Sequence, residues 1–130
     1  MEVAAIGAAL LLAGVAVFQA ALALGAPWGE MAYGGRVETT DGVLSGRHRA
    51  SSASSFFVLL FAAWVILARA DVMSEGFLSD GFVRAGSWVV ASYLVLNTVM
   101  NATARTSVER WVMGSATAIA AVLSFIVAAS

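Results

Sequence analysis

Charged side chains leave four gaps in the chain, and these gaps set its architecture. None occurs between Val3 and Gly29, Ala50 and Ala68, Ala85 and Ala104, or Trp111 and Ser130. Each run approaches or exceeds the roughly 20 residues a helix needs to cross a hydrocarbon core. Inside lipid every backbone N–H and C=O must be satisfied within its own segment, so such a run becomes a helix. The pattern predicts four membrane-spanning helices: Val3–Leu24, Ser52–Ala68, Val83–Thr103 and Ser107–Ala129. Gly25 stands where a C-cap glycine belongs, with Pro27 just beyond it. Thr106-Ser107-Val108-Glu109 has capping-box spacing for the fourth helix. The serines from Ser51 to Ser55 offer N-caps for the second.

Short turns after the second and third helices imply an all-α, up-down four-helix bundle forming a single domain over 1–130. The connector Gly25–Ser52 is the exception, being long for such a bundle. Its glycines, proline and aromatics predict a structured Gly-rich loop folding back over the helix ends. Two small-residue rows would let backbones approach closely: Ala5, Ala9, Ala13, Val17 and Ala21, and Ala116, Ala120, Ser124 and Ala128. Either row could instead serve a homo-oligomer. Phe56, Phe57, Phe61 and Trp64 make the second helix bulkier and place more of it against lipid.

Composition supports the membrane assignment and narrows the chemistry. Apolar residues make up 61% of the 130 and charged residues 12%, against about 45–50% and about 25% in soluble domains. Mean hydropathy is +0.89. A soluble enzyme, a disordered tail and a basic nucleic-acid binder are excluded. With no cysteine, disulfides, thiol catalysis and zinc–thiolate sites are excluded too. The seven basic residues are all arginine, so no lysine can form a Schiff base. No cofactor or metal motif is present.

Arginine also sets orientation. Five lie at the connector end of the bundle (Arg36, Arg47, Arg49, Arg105 and Arg110) and two, Arg69 and Arg84, at the other. The excess places both termini of this multi-pass cell-membrane protein on the non-cytoplasmic side. The first span lacks a basic n-region and carries Glu2, so it is expected to stay rather than be cleaved. Arg47 and Arg49, flanking His48, are expected beside anionic lipid headgroups.

Candidate chemistry is sparse. Tyr93, Asn97, Asn101 and Arg105 recur every four residues and share one face of the third helix. Polar groups in a membrane helix normally face a bundle interior or a wet cavity. Gln19 is the one comparable amide elsewhere, at a similar depth. These residues imply a ligand site with Arg105 at its mouth, or interhelical hydrogen bonding of the ordinary kind. In the connector, Glu30 lacks a basic neighbour close in sequence. Held against Trp28 and Tyr33 it could bind a cation or proton; otherwise it would be solvated, or paired with Arg36 or Arg105. Arg105 and Glu109 are expected to form a headgroup-level ion pair, and none of the helices is expected to bury an acid.

Gly-Ala-Pro-Trp-Gly after the first helix, Gly34-Gly35, arginines before the second helix, Asn101 late in the third and Ser107-x-Glu109-Arg110 entering the fourth form an ordered set. In that order the chain resembles small four-span membrane proteins of high-GC bacteria, a group whose members carry no assigned activity. It matches small multidrug exporters in length and span count but lacks their membrane-embedded Glu in the first helix. Three classes stay open: a protein binding or helping translocate a small lipophilic molecule at Gln19, Trp28, Glu30, Tyr93, Asn97, Asn101 and Arg105; an accessory or scaffold subunit; and an enzyme using Glu30 or His48. The expected scarcity of acids, lysine and cysteine within the helices weighs against the enzyme.

Overall fold

The computed structural model describes residues 1–130 and places a long helix in each charge-poor run. These are α1 (Glu2–Ala23), α2 (Gly46–Arg69), α3 (Asp80–Ala102) and α4 (Gly114–Ala128). A π-helical turn, Val108–Met113, leads directly into α4, so the last apolar stretch runs from Val108 to Ala128. All four stretches are long and apolar enough to cross a membrane. The protein is therefore an all-helical, multi-pass membrane protein.

Local chemistry explains the helix ends. The Ala26 N–H donates to Ala21 O and the Gly25 N–H to Leu22 O, the paired bonds of a Schellman motif. That motif needs a left-handed residue, which Gly25 supplies at φ 98°. Arg49 Nε then donates to Ala23 O at 3.0 Å, capping a further carbonyl of α1. This arginine is half-buried. Arg47 is exposed. At the start of α3 the Ser79 Oγ accepts the Phe82 N–H at 3.1 Å.

Helix α2 begins six residues earlier than expected, at Gly46. A basic cluster at a membrane surface does not terminate a helix, because side chains on its first turns reach water. The serines expected as N-caps consequently lie within α2. Ser52 is fully buried and shares a 3.1 Å hydrogen bond with the Tyr33 hydroxyl, which also lies 3.1 Å from its acceptor His48 O.

Helix α1 packs against α2 and α4, while α3 packs against α4 and α2. The buried face of α1 is Ala5, Ala8, Leu12 and Ala16, rotated from the expected alanine row; Val17 is exposed. On α4 the expected Ala120, Ser124 and Ala128 are buried, with Ala121 and Val127 beside them. Leu59, Ile66 and Leu94 fill the space between these small residues. Phe57 and Phe61 on α2 face outward.

Between α1 and α2 the chain makes two 3₁₀ turns, Gly29–Met31 and Tyr33–Gly35, then a two-stranded hairpin. Its strands, β1 (Thr39–Thr40) and β2 (Val43–Leu44), are joined through Asp41-Gly42, both at positive φ. Positive φ at both central residues is the hairpin turn that Asp-Gly favours. Leu44, Ala32 and Leu22 form a small core beneath it.

Candidate functional site

A cavity of about 620 Å³ lies beneath the connector, walled mainly by α1, α3 and α4. Its size is typical of small-molecule sites, as is its mainly apolar wall with a few convergent polar groups. Gln19, Tyr93, Asn97 and Asn101 all line it. Helical spacing explains the last three, and α1 brings Gln19 to them from across the bundle.

Each polar group has a different environment. The Gln19 Oε1 is screened from solvent and accepts no hydrogen bond. Asn97 Nδ2 donates to Tyr93 O on its own helix at 3.3 Å. Asn101 Nδ2 reaches Thr117 Oγ1 on α4 at 3.5 Å, and Thr98 Oγ1 lies 3.1 Å from the same hydroxyl. The Thr117 hydroxyl has Met113 O and Gly114 O within donating range at 2.9 and 3.2 Å. Part of the expected polar row thus joins α3 to α4, while Gln19 is left with acceptor capacity.

The other three expected residues stand apart from the cavity wall. Trp28 is exposed on one side and stacks on Phe18 with ring centroids 6.2 Å apart. Glu30 is exposed and forms no ion pair with Arg36 or Arg105. It lies in the 3₁₀ turn Gly29–Met31. Arg105 lies beyond the end of α3, so it has left the helical face of Asn97 and Asn101. It is anchored through its backbone N–H, which donates to Gly34 O at 3.0 Å.

Glu109 contradicts the expectation that no helix buries an acid. It is 3% exposed, in the π-helical turn, and lines the cavity. Its Oε2 accepts the Gly34 N–H at 2.9 Å and its Oε1 the Thr106 hydroxyl at 3.1 Å. The Thr106 oxygen in turn accepts the Glu109 N–H at 3.3 Å. Thr106 thus caps as the sequence pattern implies, but the carboxylate turns to the connector instead of to the Thr106 backbone. Its expected partner Arg105 is exposed. Arg110 Nη1 bonds Ala104 O and Arg105 O, each at 3.0 Å.

Arg36 completes the junction, donating from Nη2 to Thr103 O at 2.9 Å. Arg36, Gly34 and Glu109 therefore tie the connector to the turn between α3 and α4, and all three border the cavity. Sequence reasoning misses Thr98, Thr117 and Glu109. Threonine in a helix can bond its own preceding turn, so it leaves no polar signature. The arginines on either side of Glu109 in sequence suggest a surface pair.

The cavity is open beside α3. Tyr93, Leu96 and Met100 line it while remaining 42%, 58% and 60% exposed. No three His, Asp or Glu side chains converge where they could hold a metal ion. Comparison of the chain with family models, curated proteins and solved structures finds no match.

Proposed function

We propose that this membrane protein binds, or helps translocate, a small lipophilic molecule in the cavity between α1, α3 and α4. One observation carries the reading: a mainly apolar cavity of about 620 Å³ has Gln19, Tyr93, Asn97 and Asn101 together in its wall. The polar end of a guest bonds to these amide and phenol groups, and its apolar part covers the walls around Leu94, Leu96 and Met100. The site consists of Gln19, Tyr93, Asn97 and Asn101, with Glu109 and Arg36 at the connector end. Trp28, Glu30 and Arg105 frame the same end from outside.

In this reading the helices run up and down, the connector forms a structured Gly-rich cap, and both termini lie on the non-cytoplasmic side. The five arginines at the connector end, against two at the other, support that orientation.

Native mass spectrometry of protein released gently from detergent tests the proposal. A retained small molecule, lost in a folded Asn97→Leu variant, is the expected result. A homogeneous oligomer carrying only bulk phospholipid would contradict it and favour the scaffold alternative.

A further inference from the structure

The head of the guest follows from the one charge it can touch; this step rests on the binding reading above. The cavity wall contains two charged side chains, Arg36 and Glu109. Glu109 is sealed: it is 3% exposed, and its oxygens are turned to the Gly34 N–H and the Thr106 hydroxyl. Arg36 is the opposite case. It is exposed and spends one N–H, from Nη2, on Thr103 O. A guanidinium carries five such donors in a planar fork, so four are left. No acidic side chain forms an ion pair with it.

The fork is also fixed in place. A Cβ at Gly34 would collide with Arg36 Nη1, so the guanidinium lies against the glycine whose N–H Glu109 accepts. That contact and the Thr103 bond hold Arg36 at the connector end of the cavity. Two further donors in the wall, the Tyr93 hydroxyl and Gln19 Nε2, have no protein partner. The amides of Asn97 and Asn101 present carbonyl oxygens as well as N–H groups and favour neither sign of guest. Tyr93 lies ten residues before Thr103, about 15 Å along α3. Leu96 and Met100 stand between them, exposed on a helix that would stand in hydrocarbon. The cavity therefore runs from one fixed cation at the connector to an apolar opening in the bilayer.

We infer that the cavity takes a single-chain amphiphile with an oxyanion head, a long-chain carboxylate or a monoalkyl phosphate. The head accepts the free N–H groups of Arg36, whose planar fork matches either oxyanion. Its chain runs past Met100 and Leu96 toward Tyr93 and the bilayer. One acyl chain with its head suits a cavity of about 620 Å³, and a diacyl phospholipid exceeds it. Association requires only ion pairing, hydrogen bonding and apolar burial, with no covalent step.

Photo-crosslinking of the whole protein in phosphatidylcholine nanodiscs provides the test. The probe is a dodecyl phosphate carrying a diazirine on its chain, and adducts are mapped by peptide mass spectrometry. Adducts are expected on residues 93–101, and unlabelled dodecyl phosphate, laurate or both should abolish them. Dodecylammonium and an uncharged monoacylglycerol are expected to compete about tenfold less well. In a folded Arg36→Gln variant the dodecyl phosphate should compete about tenfold less well than in the native protein. Arg47→Gln, a change at an exposed arginine outside the cavity, should alter nothing. The competitor series in the native protein stands by itself if Arg36→Gln does not fold. Equal competition by the cationic and uncharged amphiphiles, native-like competition in folded Arg36→Gln, or an equal loss in Arg47→Gln would overturn the oxyanion inference while leaving a site. Adducts spread over all four helices and insensitive to every competitor would overturn the site, and with it the binding reading.

Discussion

The Gly34 N–H donates to Glu109 Oε2 at 2.9 Å, joining turns that lie 75 positions apart in the chain. The neighbouring Gly34 carbonyl accepts the Arg105 N–H at 3.0 Å, so one peptide segment is held from both sides. Replacing Glu109 by Leu leaves the Gly34 N–H without its acceptor, at a cost of about 1–3 kcal/mol. Glu109→Gln retains an acceptor oxygen and should cost less. Thermal unfolding in detergent should rank native, Gln and Leu in decreasing stability. Equal midpoints for all three would show that this junction contributes nothing.

Two glycine substitutions should move stability in opposite directions. A Cβ at Gly29 would sit 2.7 Å from Gly42 O and 2.9 Å from a Leu44 methyl, both belonging to the packed hairpin. Gly29→Ala must displace that hairpin and should destabilise by about 1–3 kcal/mol. A Cβ at Gly46, the first residue of α2, meets nothing within 4 Å. Gly46→Ala should stabilise by about 0.4–1 kcal/mol, chiefly by restricting the unfolded chain. Chemical denaturation of the two variants checks both signs.

These contacts mark what the sequence discloses and what it conceals. The spans are legible because charge is absent over lengths that only a membrane helix explains. The placing of Gln19, Asn97 and Asn101 in one cavity wall is anticipated by four-residue spacing and matched depth. Arg105 fits the same spacing only while the helix continues, and α3 ends at Ala102. The burial of Glu109 depends on a connector N–H from far away in the chain, which no local pattern reports. The hairpin has a visible signal in Asp41-Gly42, but its strands are two residues each, too short to show alternation.

The turn between α2 and α3 should make stability depend on pH. Local desolvation, then Asp80 through charge and a hydrogen bond, then Asp71, raise the Glu75 carboxyl above its ordinary value of 4.5. The folded chain therefore holds this proton to higher pH than the unfolded chain does. The resulting stabilisation is complete below the ordinary value and disappears as pH rises through the raised one. Thermal midpoints should fall across that window, and Asp80→Asn should flatten the fall. The effect is small at a solvated surface. A native profile that rises there, or one unchanged by Asp80→Asn, would contradict the assignment.

The most direct test of the cavity uses Gln19, the one glutamine in the chain. Selective ¹⁵N-glutamine labelling isolates its side-chain amide signal in nanodiscs prepared with co-purified lipids. The account predicts nuclear Overhauser contacts from that amide to protons of a molecule other than the protein, with both contacts and shift changing in folded Asn97→Leu. Contacts to protein protons alone, unchanged by Asn97→Leu, would contradict a guest at Gln19.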